Sequence, residues 1–395
     1  MKKDNEDLLL IKCICHSLHL VASYAFAHLP SNLDYMIRES YNWFRRSALR
    51  KKSYADLYRA INDGKDPLQL IPLSSTRWLA RSNCIKRILD NWDSLKLHFQ
   101  LASSDCDRYL AKELYNMYSD PINELYLVFA MPILSAFERI NLLFQSDRAD
   151  HGKLLRELEN FTLTMLRRIL HPQFVNFEVN LEFTSIYLPI EKVDFGYNFA
   201  NKLATIRIQI SSASVKNIHE RCHMFLKSCC KELLNRIPSN HATLQKINNF
   251  SPNICLNPSR PAFAELPLEL ADQSQLNLLE DQWRQILNMQ WQDILTPESN
   301  LANDGASFWC YIYNMKDAIG NPVMRELSSF ALKLYSLPIS NATVERVFSR
   351  VTSVKTKLRN RMCLELLDSI LRIKMTEYQD NTASSLPWQQ IPCML

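Results

Sequence analysis

Glycine is scarce in this chain, which has only five glycines among its 395 residues. Glycine supplies the positive-φ backbone of tight turns and lets phosphate-cradling loops approach their ligand closely. Its scarcity therefore argues against a P-loop, a dinucleotide-binding fold and a many-turned β-sandwich. Hydrophobic residues make up 47% and charged residues 22% of the chain, as in ordinary globular proteins. The composition predicts a folded, mainly helical protein.

Long apolar runs and disulfide spacing are also lacking. The longest apolar stretch, Leu125 to Phe137, is shorter than the ~20 residues that cross a bilayer, and Pro132 interrupts it. We expect no membrane span. The 11 cysteines are odd in number and scattered, and we recognise no secretory leader. These features predict a reducing compartment, with the chain nuclear or cytoplasmic.

A strong excess of charge is missing as well, because the net charge is only +5. Such a balance permits nucleic-acid contact at local basic patches but does not demand it, since dedicated nucleic-acid binders carry strongly basic domains.

Helical periodicity dominates the sequence. Leu8 to Cys13 has the apolar character of a buried strand, and apolar positions spaced by three and four then predict a helix that ends at Pro30. Residues 174–196 indicate a short strand or an extended crossing segment, and the prolines of 250–267 indicate a loop. Helical spacing recurs in the segments 85–99, 108–147, 153–170, 197–236 and 276–296.

The most informative stretch runs from Leu337 to Ser349, LPISNATVERVFS, and continues to Arg361. Pro338 does not fit a helix interior, so a helix is predicted to begin after it, with Ser340 or Asn341 as its cap. Glu345 then falls in the first turn, where the helix dipole favours an acid for structural reasons alone.

This stretch resembles the C-terminal signature of hAT-family transposases. The resemblance implies that Glu345 corresponds to the third metal-binding acid of a ribonuclease-H-like active site that uses Mg²⁺ in active relatives. Two-metal phosphoryl transfer needs several carboxylates around ions roughly 3.5–4 Å apart. Only Asp4, Glu6 and Asp7 precede the Cys-x-Cys-His element, and they do not match the family's aspartate contexts. We therefore expect no catalytic site, no cofactor and no enzyme activity, with Glu345 as a vestige.

The resemblance also implies a fold: mainly α, an incomplete ribonuclease-H-like fold interrupted by a large all-helical insertion. Its lone strand would need ladder partners from another chain. We expect four parts: a remnant strand and helix at 1–30, the insertion at 31–320, the C-terminal dimerisation region at 321–378 and a flexible tail at 379–395.

Cys13 and His16 match a Cys-x-x-His element that is mainly structural in the family. Zinc binding with Cys15 and His19 is the alternative, but the spacing is not a usual finger spacing and no second ligand pair follows. We expect no metal at this element.

Two basic regions are candidate nucleic-acid contacts. Thr76, Arg77 and Trp78 resemble a family motif near which an insertion tryptophan stacks on a flipped base, although Trp78 equally suits a helical core. Arg81 extends this first region. Four cations form the second and suit either a phosphate backbone or the negative end of a helix dipole: Lys355, Lys357, Arg359 and Arg361.

An apolar stripe follows the closing helices, and the resemblance implies that it dimerises, although packing on the insertion is the alternative. The residues expected on it are Val347, Phe348, Val351, Leu367, Ile370 and Leu371.

The leading hypothesis is a domesticated or truncated hAT-like protein that associates with itself or a related transposase-like chain and does not catalyse transposition. The alternative is a nucleic-acid-binding module, with DNA as partner. No membrane partner is expected.

Overall fold

The computed structural model describes residues 12–73, 81–104, 109–146, 151–291, 301, 304–337, 340–356 and 361–382; residues 151, 238–240, 342–343 and 375–382 are described by their backbone alone. Within these residues the protein is mainly helical and has no β-strand, which confirms the expected mainly α class. The ribonuclease-H-like part of that expectation stays a prediction, because most of the strand at Leu8–Cys13 lies outside the described residues.

The helices divide between two compact units, residues 1–339 and 340–395. The first unit holds α1 (Ile14–Phe26), α2 (Asn32–Arg45), α3 (Ala48–Ile61), α4 (Arg81–Asp90), α5 (Trp92–Ser104), α6 (Tyr109–Ser119), α7 (Pro121–Phe144), α8 (His151–Arg167), α9 (Tyr197–Ile206), α10 (Ser212–Arg236), α11 (Pro238–Asn248), α12 (Pro252–Cys255), α13 (Leu276–Gln285), α14 (Gly305–Tyr313) and α15 (Arg325–Tyr335). The second unit holds α16 (Ala342–Val354) and α17 (Leu364–Thr382).

The helix α7 runs through the core of the first unit. Pro121 occupies its first turn, and the Asp120 side chain caps it by accepting a hydrogen bond from the Ile122 amide at 2.9 Å. The Phe129 ring lies 5.2 Å from that of Phe225 on α10. Burial on several sides explains why α7 is apolar along most of its length.

Pro132 lies inside α7 and does not end it, in agreement with the helical spacing over 108–147. A proline removes one helix hydrogen bond and crowds the preceding turn. The Pro132 ring faces solvent, where water can satisfy the freed carbonyl group. In the described part of the chain, α7 alone is long and apolar enough to span a membrane, and half of its most apolar window is buried within the protein.

The first helix belongs to the same core. α1 packs against α10 and α7, and its fully buried residues include Leu18, Val21 and Ala22, as the periodicity predicts. It ends at Phe26, before Pro30. The division between compact units falls after Ile339, and the expected boundaries at residues 30 and 320 stay a prediction.

The segment between α8 and α9 is an extended crossing segment with short 3₁₀ turns. A single antiparallel bridge joins Leu170 to Tyr187, where the Leu188 amide donates to the Ile169 carbonyl at 2.8 Å. Of the two alternatives for 174–196, the structure has the extended segment.

The second unit is small. α16 packs against α17, and Val354 and Leu367 are the buried side chains among those described there, with 3% and 8% of their surface exposed. The Arg350 guanidinium donates to the Lys374 carbonyl at 3.2 Å and ties the two helices together.

Candidate partner-binding surface

The motif that identifies the closing segment forms the start of α16. The helix begins at Ala342 with Asn341 at the N-cap position, and the Glu345 amide donates to the Asn341 carbonyl at 2.9 Å. Glu345 lies in the first turn, as predicted, and is exposed. Its carboxylate is well placed for the positive end of the helix dipole.

No group of three His, Cys, Asp or Glu side chains that could hold a metal ion occurs in the described ranges. The acids Asp4, Glu6 and Asp7 lie outside those ranges. Glu345 thus stands as a solvent-facing acid at a helix start, and one carboxylate cannot hold two divalent ions.

An apolar stripe runs along α16. Phe348 and Val344 expose 64% and 54% of their surfaces, while Val347 and Val351 are half-buried. The spacing of three, four and seven residues places all four on one side of the helix. The structure therefore brings the predicted residues Val347, Phe348 and Val351 together on one face.

The exposed apolar residues of α17 are mostly not the ones expected. Leu364, Leu366 and Ile373 expose 76%, 50% and 60% of their surfaces, whereas the predicted Ile370 and Leu371 are half-buried.

The prediction that Leu367 is exposed to a partner is wrong. It is 8% exposed because it is buried within the second unit, as is Val354. It holds α16 and α17 together and so shapes the surface without lying on it.

The sequence pattern did not predict four of the exposed apolar residues: Val344, Leu364, Leu366 and Ile373. Val344 shares the helical spacing of Phe348 and could have been found from the period. For α17, apolar residues occupy several faces in sequence, and only the packing of α16 decides which of them stay exposed.

Two of the four cations of the second basic region, Lys355 and Arg361, lie in the described residues. Lys355 lies just after α16 at its C-cap position and is exposed, as is Arg361 before α17. Lys355 suits either the negative end of the α16 dipole or a phosphate group, whereas Arg361 lies three residues before α17 and suits a phosphate group alone. Lys357 and Arg359 lie outside the described residues.

Arg81 contradicts the expected first basic region. It begins α4 but is 4% exposed, and its guanidinium forms an ion pair with Asp34 and lies 4.5 Å from the centroid of the Phe26 ring. Burial lowers the pKa of Arg81, and Asp34 counteracts that shift. A buried guanidinium that is paired with a carboxylate cannot bind a nucleic-acid phosphate. Arg77 and Trp78, the other members, lie outside the described residues.

The Cys-x-x-His element lies at the start of α1. Cys13 is half-buried at the N-cap position, and its carbonyl accepts from the Ser17 amide at 3.0 Å. The exposed His16 ring stacks on His19 with 6.5 Å between centroids. Burial, followed by the charges of His16 and Arg81, lowers the pKa of His19.

Comparison with protein families gives one match. Residues 324–370 match the hAT family C-terminal dimerisation region. The match begins at Met324, just before α15, covers α16 and ends within α17. Comparison with curated proteins gives no match.

The match includes the LPISNATVERVFS motif and the exposed apolar stripe of α16. Over this segment the chain is similar to hAT-family transposase-like proteins. Residues 324–370 of the chain are thus similar to the C-terminal dimerisation region of the hAT family.

Proposed function

We propose that this protein self-associates through an apolar surface formed by α16 and α17, here called the α16–α17 surface: Val344, Val347, Phe348, Val351, Leu364, Leu366 and Ile373. The observation that carries the proposal is the imbalance between buried and exposed apolar residues in the second unit. Two described side chains are buried there, while five large apolar side chains are at least half exposed.

Energetics favours a covered surface. Complete burial of a Phe, Leu or Val side chain is worth about 1.5–3 kcal/mol, so leaving five of them in water forgoes several kcal/mol. A pair of helices with so small a core is marginal alone. The same patch on a second copy is self-complementary, as in a two-fold symmetric dimer.

The test is the molar mass in solution, measured by size-exclusion chromatography with light scattering. We expect a dimer for the full chain at micromolar concentration and a monomer for Phe348→Glu/Ile373→Glu, because the charges must be desolvated in the interface. Ile208→Glu is the matched control, since Ile208 is 97% exposed and lies outside the α16–α17 surface.

Two results would contradict the proposal. One is a wild-type monomer at tens of micromolar. The other is a Phe348→Glu/Ile373→Glu variant that stays dimeric with unchanged circular dichroism.

The proposal includes the absence of transposase catalysis. Its support is that Glu345 is exposed and belongs to no group of three possible metal-binding side chains among the described residues, whereas two-metal transfer needs converging carboxylates. We expect no nicking of supercoiled DNA with Mg²⁺ or Mn²⁺. Nicking that disappears in Glu345→Gln would refute this part of the proposal and leave self-association untouched.

A nuclear location completes the proposal. It is supported by the similarity of residues 324–370 to the hAT family and by the odd number and scattered spacing of the 11 cysteines, which indicate a reducing compartment. Imaging of a fluorescent fusion of the full chain tests it, and exclusion from the nucleus would count against it.

A further inference from the structure

The densest run of positive charge in the chain lies where α2 meets α3. Five of the eight residues from Arg45 to Lys52 are cationic, and none is acidic: Arg45, Arg46, Arg50, Lys51 and Lys52. Arg45 and Arg46 end α2, where the helix dipole favours cations. The other three lie in the first two turns of α3, where the dipole disfavours them. A bound anion would relieve that repulsion.

Arg50 has a structural role in this corner. Its guanidinium stacks on the Trp43 ring at 3.7 Å from the centroid and donates to the Trp43 carbonyl at 3.4 Å. The Ser47 hydroxyl caps α3 by accepting from the Arg50 amide at 3.3 Å. These contacts fix the angle between α2 and α3 and thus the positions of the neighbouring cations.

The other four cations face solvent. Arg45, Arg46, Lys51 and Lys52 are exposed, and none of them has an ion-pair partner in the ranges that the structure describes. Their charges are available to a ligand.

A cavity of about 540 Å³ opens beside these cations and includes Arg45 and Lys51 in its lining. Tyr41 supplies aromatic surface, the mostly buried Phe44 and Tyr54 border the cavity with 6% and 5% of their surfaces exposed, and Leu68 adds apolar surface from the segment after α3. The volume lies within the ~300–1,000 Å³ range of small-molecule sites. Aromatic and cationic surfaces therefore meet in one concave site.

The single acid in the lining does not cancel this charge. Asp66 accepts from the Arg59 guanidinium at 2.8 Å, so that carboxylate is already paired. The net effect is a cavity that favours an anion attached to a flat ring.

We propose that the cavity between α2, α3 and residues 66–72 binds a nucleotide unit, with phosphate at Arg45 and Lys51 and the base against the aromatic side chains. Aromatic side chains accept any base face, and arginine and lysine neutralise phosphate. The unit can come from a free nucleotide or from single-stranded nucleic acid. A base paired in a duplex is stacked and cannot enter.

The experiment uses the full chain and fluorescence anisotropy with a labelled mixed-sequence single strand, the matched duplex, and unlabelled ATP as competitor, over a range of salt. Two variants probe the site. Arg45→Gln/Lys51→Gln removes two charges, and Leu68→Trp fills the cavity from a half-exposed position. Lys192→Gln/Arg207→Gln removes the same charge from exposed positions elsewhere.

We expect each site variant to weaken single-strand binding about tenfold and the control variant to leave it unchanged. The slope of log Kd against log salt concentration should be smaller by about 1.4 in Arg45→Gln/Lys51→Gln. Each phosphate contact on a single strand contributes about 0.7 to that slope. Competition by ATP identifies a site for free nucleotides, and its absence identifies a strand segment.

Several results would overturn the proposal. These are no single-strand or ATP binding at low salt, equal weakening in the control variant, duplex binding as tight as single-strand binding, and full binding by either site variant. The Leu68→Trp result separates a base-binding cavity from a basic patch alone.

Discussion

His98 shows how one buried side chain can carry the pH response of a core. Its Nε2 atom accepts a hydrogen bond from the Trp43 indole at 3.1 Å, and its ring is surrounded by Phe44, Tyr54 and Phe99. Burial, and secondly the charge of Arg50, lowers the pKa of His98 to about 4. The imidazole is therefore neutral at physiological pH.

We predict that His98 destabilises the fold in acid. The unfolded histidine, with a pKa of about 6.5, takes up a proton before the folded one does. The free energy of unfolding is thus highest above pH 6.5 and falls by up to about 3 kcal/mol between pH 6.5 and 4.

Urea unfolding at several pH values measures this effect, with His98→Gln as the control. Glutamine keeps an acceptor for the Trp43 indole and does not titrate, so the variant should lose less stability in acid. An NMR titration midpoint for His98 near 6.5 would contradict the prediction.

Arg81 illustrates what sequence leaves open at this scale. Its place near Arg77, Lys86 and Arg87 indicates a basic surface, and the charge alone does not reveal burial. The structure pairs it with Asp34, 47 positions earlier in the chain. The buried Arg81 and the half-buried Asp34 are far apart in sequence and become neighbours only when α2 and α4 pack together.

At the scale of elements, the periodicity located helices but not their breaks. The pattern over 85–99 is continuous in sequence, yet α4 ends at Asp90 and α5 starts at Trp92. Asn91 separates them, since its side-chain Nδ2 donates to the Arg87 carbonyl at 2.7 Å and its side-chain Oδ1 accepts from the Tyr54 hydroxyl at 3.1 Å. The second of these bonds needs α3, so a local pattern could not predict it.

The contact of α14 with α15 depends on a glycine. A Cβ atom added to Gly305 would overlap the hydroxyl end of the Tyr335 ring. We predict that Gly305→Ala displaces this ring and lowers the free energy of unfolding by about 1–2 kcal/mol, even though alanine is the better helix former.

A double-mutant cycle with Tyr335→Leu checks this prediction by urea unfolding, because the shorter side chain makes room for the methyl group. Gly305→Ala should cost less in that background than in the wild type. Equal costs in the two backgrounds would show that the overlap is not the cause.

At the scale of the molecule, the two compact units differ in how much core they contain. The contiguous hydrophobic core lies between Ile14 and Leu334, entirely within the first unit. Val354 and Leu367 are the buried apolar residues described in the second unit.

We therefore predict that a chain ending at Ile339 folds alone and is monomeric. It should unfold cooperatively at a midpoint temperature that does not depend on protein concentration. If the full chain self-associates as proposed, the midpoint of its C-terminal transition should rise with concentration. Calorimetry at two concentrations measures both. A shortened chain that is unfolded by circular dichroism, or that remains dimeric, would contradict the prediction.

The sequence by itself determined the features that depend on local order. Apolar spacing specifies helices because neighbours three and four residues apart share a face, and the LPISNATVERVFS motif lies in the segment that is similar to the hAT family C-terminal dimerisation region. The mainly α class and the start of α16 after Pro338 follow from these signals.

Only the tertiary structure decided which faces are covered. It buried Arg81 beside Asp34, buried Leu367 between helices and left Leu364 in water, and it joined α2, α3 and residues 66–72 into a cavity. Burial depends on which segments, distant in sequence, pack against each other. The shape and area of the packed surfaces determine those contacts, and the sequence neighbours of a single residue do not.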